Sequence, residues 1–245
     1  MDDVRLDDKV ALITGGTRGI GLAAARQLGR AGATVVLVGT DAGRAAAVAQ
    51  DLVSEGIDAL GRGCQVADRR DVEALAESLG PMATIDILVL SAGVMAPNTS
   101  KTLRTTDDQW REGFSVNLDG AFHAIQQFVP GMVERRSGRV IGVSSCLGRF
   151  SGPGTNGGLA PYRVSKAALN ALVKNLASEL QLGRRGVLAD VMCPGHCRTD
   201  MGGPNAPRSA EEGADTIAWL AMRTSDATSP APTGLLWEDR VIVPW

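Results

Sequence analysis

Tyr162 and Lys166 stand four residues apart in a stretch with helical character, Ala160 to Leu182. Positions four apart on a helix share a face, so the phenol and the ammonium lie side by side. A free tyrosine titrates near about 10, and a neighbouring cation favours the phenolate and lowers that value. A tyrosine that exchanges its proton near neutral pH is a general acid or base. By spacing alone the default reading of the pair is a core-edge tyrosine beside a solvated lysine. What shifts the reading toward chemistry is its setting. Tyr162 is the only tyrosine in the chain, and ahead of it come an apolar run, Arg139 to Val143, two serines, Ser144 and Ser145, and a loop rich in Gly, Pro and Ser from Cys146 to Pro161.

A second concentration of function lies near the start, in KVALITGGTRGIGLAAARQLGRAG, Lys9 to Gly32. Val10 to Ile13 is too short for a free-standing helix and ends in glycines, while Ile20, Ala23, Ala24 and Leu28 follow at helical spacing; this predicts a buried strand, a tight turn and a helix closed by Gly32. Gly15, Gly16, Gly19 and Gly21 permit positive φ or the close approach of another backbone or a phosphate. The helix's first amides and its dipole favour an anion there. Strand before and helix after is the context of a dinucleotide-binding fingerprint.

The elements between these stretches alternate. Thr34 to Val38 reads as a strand, Arg44 to Val53 as a helix, Ile57 to Val66 as a strand, Arg69 to Leu79 as a helix, Ile85 to Leu90 as a strand ending at Ser91, Ala92 and Gly93, and Val187 to Met192 as a strand ending at Pro194 and Gly195. Such alternation implies an α/β fold with one parallel sheet wound by helices on both faces, and ligands bind at the carboxyl ends of its strands. Thr106 to Arg135 reads as a long helix or bent pair with Trp110, Phe114, Phe122, Ile125 and Phe128 at core spacing. Asn117 in its middle is either a solvated or kink residue, as short amides there usually are, or functional. His196 to Arg208 is polar, broken by Gly and Pro, and long enough to be a lid. Ser209 and Glu212 form a capping box for a helix from Ala210 to Met222, and the tail, PTGLLWEDRVIVPW, predicts a short packed strand.

With 245 residues and no linker-like run in its middle, the chain reads as one domain, 1–245. A net charge of -2 with interspersed signs gives no reason to expect nucleic acid or an anionic membrane. The opening MDDVRLDDK is charged and no apolar run has spanning length, so a cytoplasmic protein is expected. Cys64, Cys146, Cys193 and Cys197 read as reduced thiols, and Cys193, His196 and Cys197, with Pro and Gly between them, do not read as a metal site.

Taken together, these residues resemble the short-chain dehydrogenase/reductase superfamily over nearly the whole chain. The glycine motif stands as Thr14, Gly15, Gly16, Thr17, Arg18, Gly19, Ile20 and Gly21; the active-site quartet as Asn117, Ser145, Tyr162 and Lys166; the late Pro-Gly motif as Pro194, Gly195 and Thr199. The resemblance implies a Rossmann-like domain. It implies that Ser145, rather than Ser144, holds the substrate oxygen, that Tyr162 transfers the proton, that Lys166 lowers the tyrosine pKa and holds ribose hydroxyls, and that Asn117 breaks its helix and holds a water. It places Ser91, Ala92 and Gly93 beneath the cofactor ribose and Thr199, with the backbone near Cys197, on the nicotinamide carboxamide. The hydride is the cofactor's. Family members commonly pair through their long helices, which implies a homodimer or homotetramer.

The second strand ends at Gly39 and Thr40, with its acid only later, at Asp41. Together with Arg18 as a donor to a 2′-phosphate, and Arg44 as a second base, this favours NADP(H) over NAD(H). Gln65, beside Val66, stands where the family usually has an acid at the adenine, and Ser91 replaces the usual Asn. The loop between Ser145 and Tyr162 is longer than the commonest form, and with the Pro244–Trp245 tail it is more similar to carbonyl-reductase-like members than to acyl-carrier ketoreductases. The expected activity is NADPH-dependent reduction of a ketone or aldehyde; the alternative is oxidation of a secondary alcohol, as in secondary metabolism.

Overall fold

The computed structural model describes residues 5–95, 101–152, 156–226 and 228–245; the first four residues of the charged opening and residues 153–155 of the long loop lie outside the described residues. Eight strands form one sheet in the order β3-β2-β1-β4-β5-β6-β7-β8. These are β1 (Val10–Thr14), β2 (Thr34–Gly39), β3 (Ala59–Gly63), β4 (Ile87–Leu90), β5 (Gly138–Val143), β6 (Val187–Met192), β7 (Leu236–Glu238) and β8 (Val241–Ile242). All neighbours are parallel except the last, where β8 turns back antiparallel on β7. The tail is thus a hairpin rather than one strand. Its two linking residues, Asp239 and Arg240, both have positive φ, the turn geometry that matches strand twist.

The helices are α1 (Gly19–Arg30), α2 (Ala42–Ser54), α3 (Arg69–Leu79), α4 (Asp107–Phe114), α5 (Gly120–Glu134), α6 (Ala160–Glu179) and α7 (Ala210–Met222). α1, α2 and α7 cover one face of the sheet, meeting Ile13, Leu37, Val89 and Ile141, while α3, α5 and α6 cover the other, meeting Leu12, Val36, Leu88 and Val140. Adjacent strand residues are therefore buried on opposite faces, which is why these strands read as continuous apolar runs. The expected capping box of Ser209 with Glu212 is formed on α7, and a second one, Thr106 with Gln109, starts α4.

The region Thr106 to Arg135 is neither one helix nor a simple bend. A π-helical turn, Ser115–Asp119, separates α4 from α5, and such turns recur at functional sites. Phe128 and Ile125 are buried as expected, but Trp110 and Phe122 are 40% and 41% exposed. The extra residue of the π turn shifts the helical phase, so a single 3.6-residue period does not carry from α4 into α5. α1 ends at Arg30 and leaves through Ala31 into Gly32, whose φ of +108° takes the chain into β2.

Candidate functional site

Strand order reverses between β1 and β4, whose neighbours run away in opposite directions, and the cleft sits there at the carboxyl ends of the strands. The turn after β1 is pressed against the segment after β4. A Cβ on Gly15, whose φ is +66°, would stand 2.8 Å from Ala92 Cα, and one on Gly21 would stand 2.3 Å from Gly15 O. Thr14 Oγ1 ties the two segments by accepting from Ser91 N at 3.1 Å and Ala92 N at 3.2 Å. No side chain caps the N-terminus of α1, and its first turn holds no acid, so amides and dipole there face the cleft without an internal partner.

The cleft measures about 670 Å³. Its lining includes Gly15, Thr17, Arg18, Gly19, Ile20, Gly21, Thr40, Gln65, Val66, Ser91, Ala92, Gly93, Tyr162, Lys166, Pro194 and Thr199. Asn117, Ser145, Gly195 and Cys197 lie outside that lining. Gly195 and Cys197 shape the segment that follows β6. Gly195, at φ +72°, has Arg208 packed where a Cβ would go, and Cys197 forms an isolated bridge with Arg208. Arg198 Nη1 donates to Ala206 O and Pro207 O at 2.9 and 2.8 Å, so the expected lid is an internally bonded loop. Arg18, projecting from the glycine turn, pairs with Asp200 of that loop at 2.5 Å. Asp41 accepts from Arg44 N at 3.0 Å and is thereby committed to capping α2.

Asn117 is buried, not solvated. The π turn aims its amide inward, where Oδ1 accepts from Val94 N at 2.7 Å and Nδ2 donates to Val94 O and Ser165 Oγ, both at 2.9 Å. Ser165 Oγ in turn donates to Tyr162 O at 2.9 Å. Asn117 thus clamps the segment after β4 onto α6, beneath the face that carries Tyr162 and Lys166.

The two serines diverge at the end of β5. Ser144 is buried and its hydroxyl meets Asn170 Oδ1 at 2.5 Å. Ser145 is half-buried; its Oγ accepts from Leu147 N at 3.1 Å, and its side chain is close enough to the Tyr162 phenol to lower its pKa. Of the two, Ser145 is the one beside the tyrosine.

Burial pushes the Tyr162 phenol up to about 12, against the side chain of Ser145, which lowers it, and with the thiols of Cys193 and Cys146, which raise it. Lys166 is stripped of water and held down to about 8 by that desolvation. Its Nζ donates to Val143 O at 2.8 Å and lies 5.8 Å from the centre of the tyrosine ring. The expectation that Lys166 lowers the phenol is therefore not met: both groups are buried, and desolvation of the phenolate outweighs a cation turned toward a backbone carbonyl.

Asn170 and Ser165 escape a reading by sequence motif. Asn170 continues the four-residue spacing of Tyr162 and Lys166 along one face of α6, a signal available in the sequence; it also holds Gly148 O at 3.2 Å, fixing the turn after Ser145.

A short chain dehydrogenase family model matches residues 9–210. The chain belongs to this family. It is accordingly an NAD(P)-dependent oxidoreductase of the CH–OH/C=O class, built on a Rossmann-type α/β fold. Similar curated proteins include the 3-oxoacyl-(acyl-carrier-protein) reductase FabG of Aquifex aeolicus, 37% identical over 81% of this chain and 78% of that protein. The protein of the same name from Escherichia coli strain K12 is 33% identical over 81% of this chain and 77% of its own length. Both are acyl-carrier-protein reductases, whereas the long loop and the tail point in the sequence to carbonyl-reductase-like members. Among solved structures, a gluconate 5-dehydrogenase from Burkholderia cenocepacia in complex with NADP and tartrate superposes with a TM-score of 0.84 at 28% identity, over 97% of this chain and 95% of that one. A metagenomic short-chain oxidoreductase in complex with NADP superposes with a TM-score of 0.78 at 29% identity, over 95% and 97% of the two chains. Among the described residues, no helix is long and apolar enough to cross a membrane.

Proposed function

We propose that this enzyme reduces a ketone or aldehyde to an alcohol at the expense of NADPH, with Tyr162 as the proton donor. The observation that carries the direction is the buried phenol, raised to about 12. Burial disfavours the phenolate that alcohol oxidation would need as its base and favours the neutral phenol that reduction consumes. NADPH supplies the hydride when bound. Ser145 Oγ donates to the carbonyl oxygen, and Tyr162 Oη delivers its proton there as negative charge develops. Lys166 holds cofactor hydroxyls at the floor of the cleft beside Gly93, where a Cβ would approach Nζ to 3.4 Å. Asn117 keeps the strand-end segment in place.

The glycine cradle and the uncapped first turn of α1 fit a dinucleotide. Three features support the 2′-phosphate form: Thr40 is exposed at the cleft, Asp41 is occupied in capping, and Arg18 stands in the cradle. NADP in two structural relatives agrees with this choice. The runner-up is oxidation of a secondary alcohol, favoured by the gluconate 5-dehydrogenase likeness. Trp110, Phe122 and Val164 expose apolar side chains on α4, α5 and α6, which supports a homodimer or homotetramer paired through helices in the cytoplasm.

Titration of the purified protein and of Arg18→Ala with NADPH and NADH tests the cofactor assignment. The wild type is expected to bind NADPH more tightly. The variant is expected to lose roughly 10- to 100-fold in NADPH affinity, the worth of one hydrogen bond to a charged group, with NADH nearly unchanged. Equal loss for both dinucleotides contradicts a phosphate contact.

A further inference from the structure

Two of the four cysteines meet beside Ser145 and Tyr162. β5 and β6 run parallel in a register that pairs Val143 with Met192, and Ser144 N donates to Met192 O at 2.8 Å. The chain leaving β5 and the chain leaving β6 therefore emerge side by side. Cys193 is the first residue past β6, and Cys146 opens the single turn, Cys146–Gly148, that follows Ser145. The two thiols are close enough that each is the largest influence on the other's titration. Around them, Cys193 Sγ faces Glu238 Oε1 at 3.7 Å and accepts from Gly195 N at 3.4 Å, and Glu238 Oε2 receives Arg149 Nη1 at 3.0 Å. Cys64 and Cys197 lie elsewhere. Cys64 is buried near Asp71 and Asp68, and Cys197 donates to Pro194 O at 3.1 Å.

We propose that Cys146 and Cys193 form a peroxide-reactive dithiol that closes into a disulfide and, by doing so, draws Ser145 away from Tyr162. The effect on turnover rests on the roles proposed above for Ser145 and Tyr162; the cross-link does not. A thiolate is the reactive form. Cys193, itself pushed toward the thiol, is the largest influence favouring the Cys146 thiolate. Ser145 and Arg149 add to it, while burial and Glu238 oppose it. Cys146 is half-buried and Cys193 is buried behind it, so the first attack belongs to Cys146.

Cys146 Sγ attacks one oxygen of hydrogen peroxide. An S–O bond forms, the O–O bond breaks, and hydroxide departs to be protonated to water, leaving a sulfenic acid. Cys193 Sγ then attacks Cys146 Sγ: the S–S bond forms, the S–O bond breaks, and the hydroxyl leaves with the Cys193 proton as a second water. Two thiols are oxidised by two electrons and one peroxide is reduced to two waters. A disulfide fixes Cβ atoms within about 3.5–4.5 Å. Cys193 is anchored by its N–H on Trp237 O at 2.8 Å, so the adjustment falls on the turn that carries Cys146 and Ser145.

The test treats the intact enzyme with hydrogen peroxide, alkylates the remaining thiols, and maps the peptides by mass spectrometry alongside NADPH-dependent carbonyl reduction. The expected result is a peptide pair joined through Cys146 and Cys193, with turnover lowered roughly a hundredfold, the scale of losing one donor to the reacting oxygen. Dithiothreitol is expected to reverse both, and NADPH binding is expected to persist. In Cys193→Ala the cross-link is expected to vanish and dimedone to label Cys146. Alkylation of both cysteines after peroxide overturns the dithiol, and a cross-link that leaves turnover intact overturns its control of Ser145. An untreated enzyme that reduces no carbonyl compound condemns the functional reading instead, while the peptide map still decides the dithiol.

Discussion

Lys166 Nζ lies 5.8 Å from the centre of the Tyr162 ring yet gives its hydrogen bond to Val143 O at 2.8 Å, so the two groups that define the site share a helix face without sharing a proton. Each is buried, and each is shifted toward its neutral form: the phenol up to about 12, the ammonium down to about 8. The cleft thus holds a phenol kept in its acid form at Tyr162 and a lysine whose charge is costly.

That cost predicts a pH dependence of stability. Unfolded, Lys166 titrates at its ordinary value of 10.5, and folded at about 8. Between those values the unfolded chain carries a proton that the folded chain has shed, so this residue's contribution improves as pH rises through the window and is worst below about 8. Tyr162 acts oppositely at higher pH, its contribution lost between 10 and about 12. Urea unfolding of wild type and Lys166→Met from pH 7 to 10 is expected to show the wild type gaining on the variant as pH rises; a constant difference contradicts the burial argument.

Asn117 gives a second expectation. Its three hydrogen bonds, two part-buried ones to Val94 and a buried one to Ser165, are lost in Asn117→Ala, which leaves Val94 N, Val94 O and the Ser165 hydroxyl short of partners. A loss of about 2–4 kcal/mol follows from the desolvation of such groups. It is checked by denaturant midpoint, and activity is expected to fall further than stability because the clamp between the β4 end and α6 is released. Unchanged stability contradicts the clamp.

The last crossover hangs on one carboxylate. Asp190, buried in β6, meets Arg223 and accepts from Thr233 Oγ1 at 3.2 Å, Leu235 N at 3.0 Å and Trp237 Nε1 at 3.1 Å. Asp190→Asn leaves the Arg223 charge uncompensated between the rings of Trp219 and Trp237. Breaking a buried pair from one side costs about 3–5 kcal/mol, and thermal unfolding measures it; a loss below 1 kcal/mol contradicts the role assigned to Asp190.

The sequence is legible where a residue's duty is local. The β1 run, the glycine turn and the helix after it follow from periodicity and backbone freedom, and the capping box at Ser209 follows from residue type and spacing. It is opaque where burial decides. Asn117 reads from its neighbours as either a solvated or kink amide or a functional one, and only the π turn, a tertiary compromise, turns it inward. Trp110 and Phe122 read as core because a single period is assumed across that turn. The choice between Ser144 and Ser145 turns on Asn170, a partner brought near by α6 folding over the end of β5. The Tyr162 pKa goes the other way from its sequence expectation because the same packing that brings Lys166 close removes the water that ionised groups need.

Carbonyl-dependent oxidation of NADPH, followed spectrophotometrically with a panel of ketones, aldehydes and 3-oxoacyl thioesters, tests the central claim most directly when wild type and Tyr162→Phe are run side by side. The account predicts that the wild type consumes NADPH with at least one of these compounds. It predicts that Tyr162→Phe is slower by about 10²–10⁴-fold, the usual worth of a positioned acid, while still binding NADPH. A variant that turns over as fast as the wild type contradicts it.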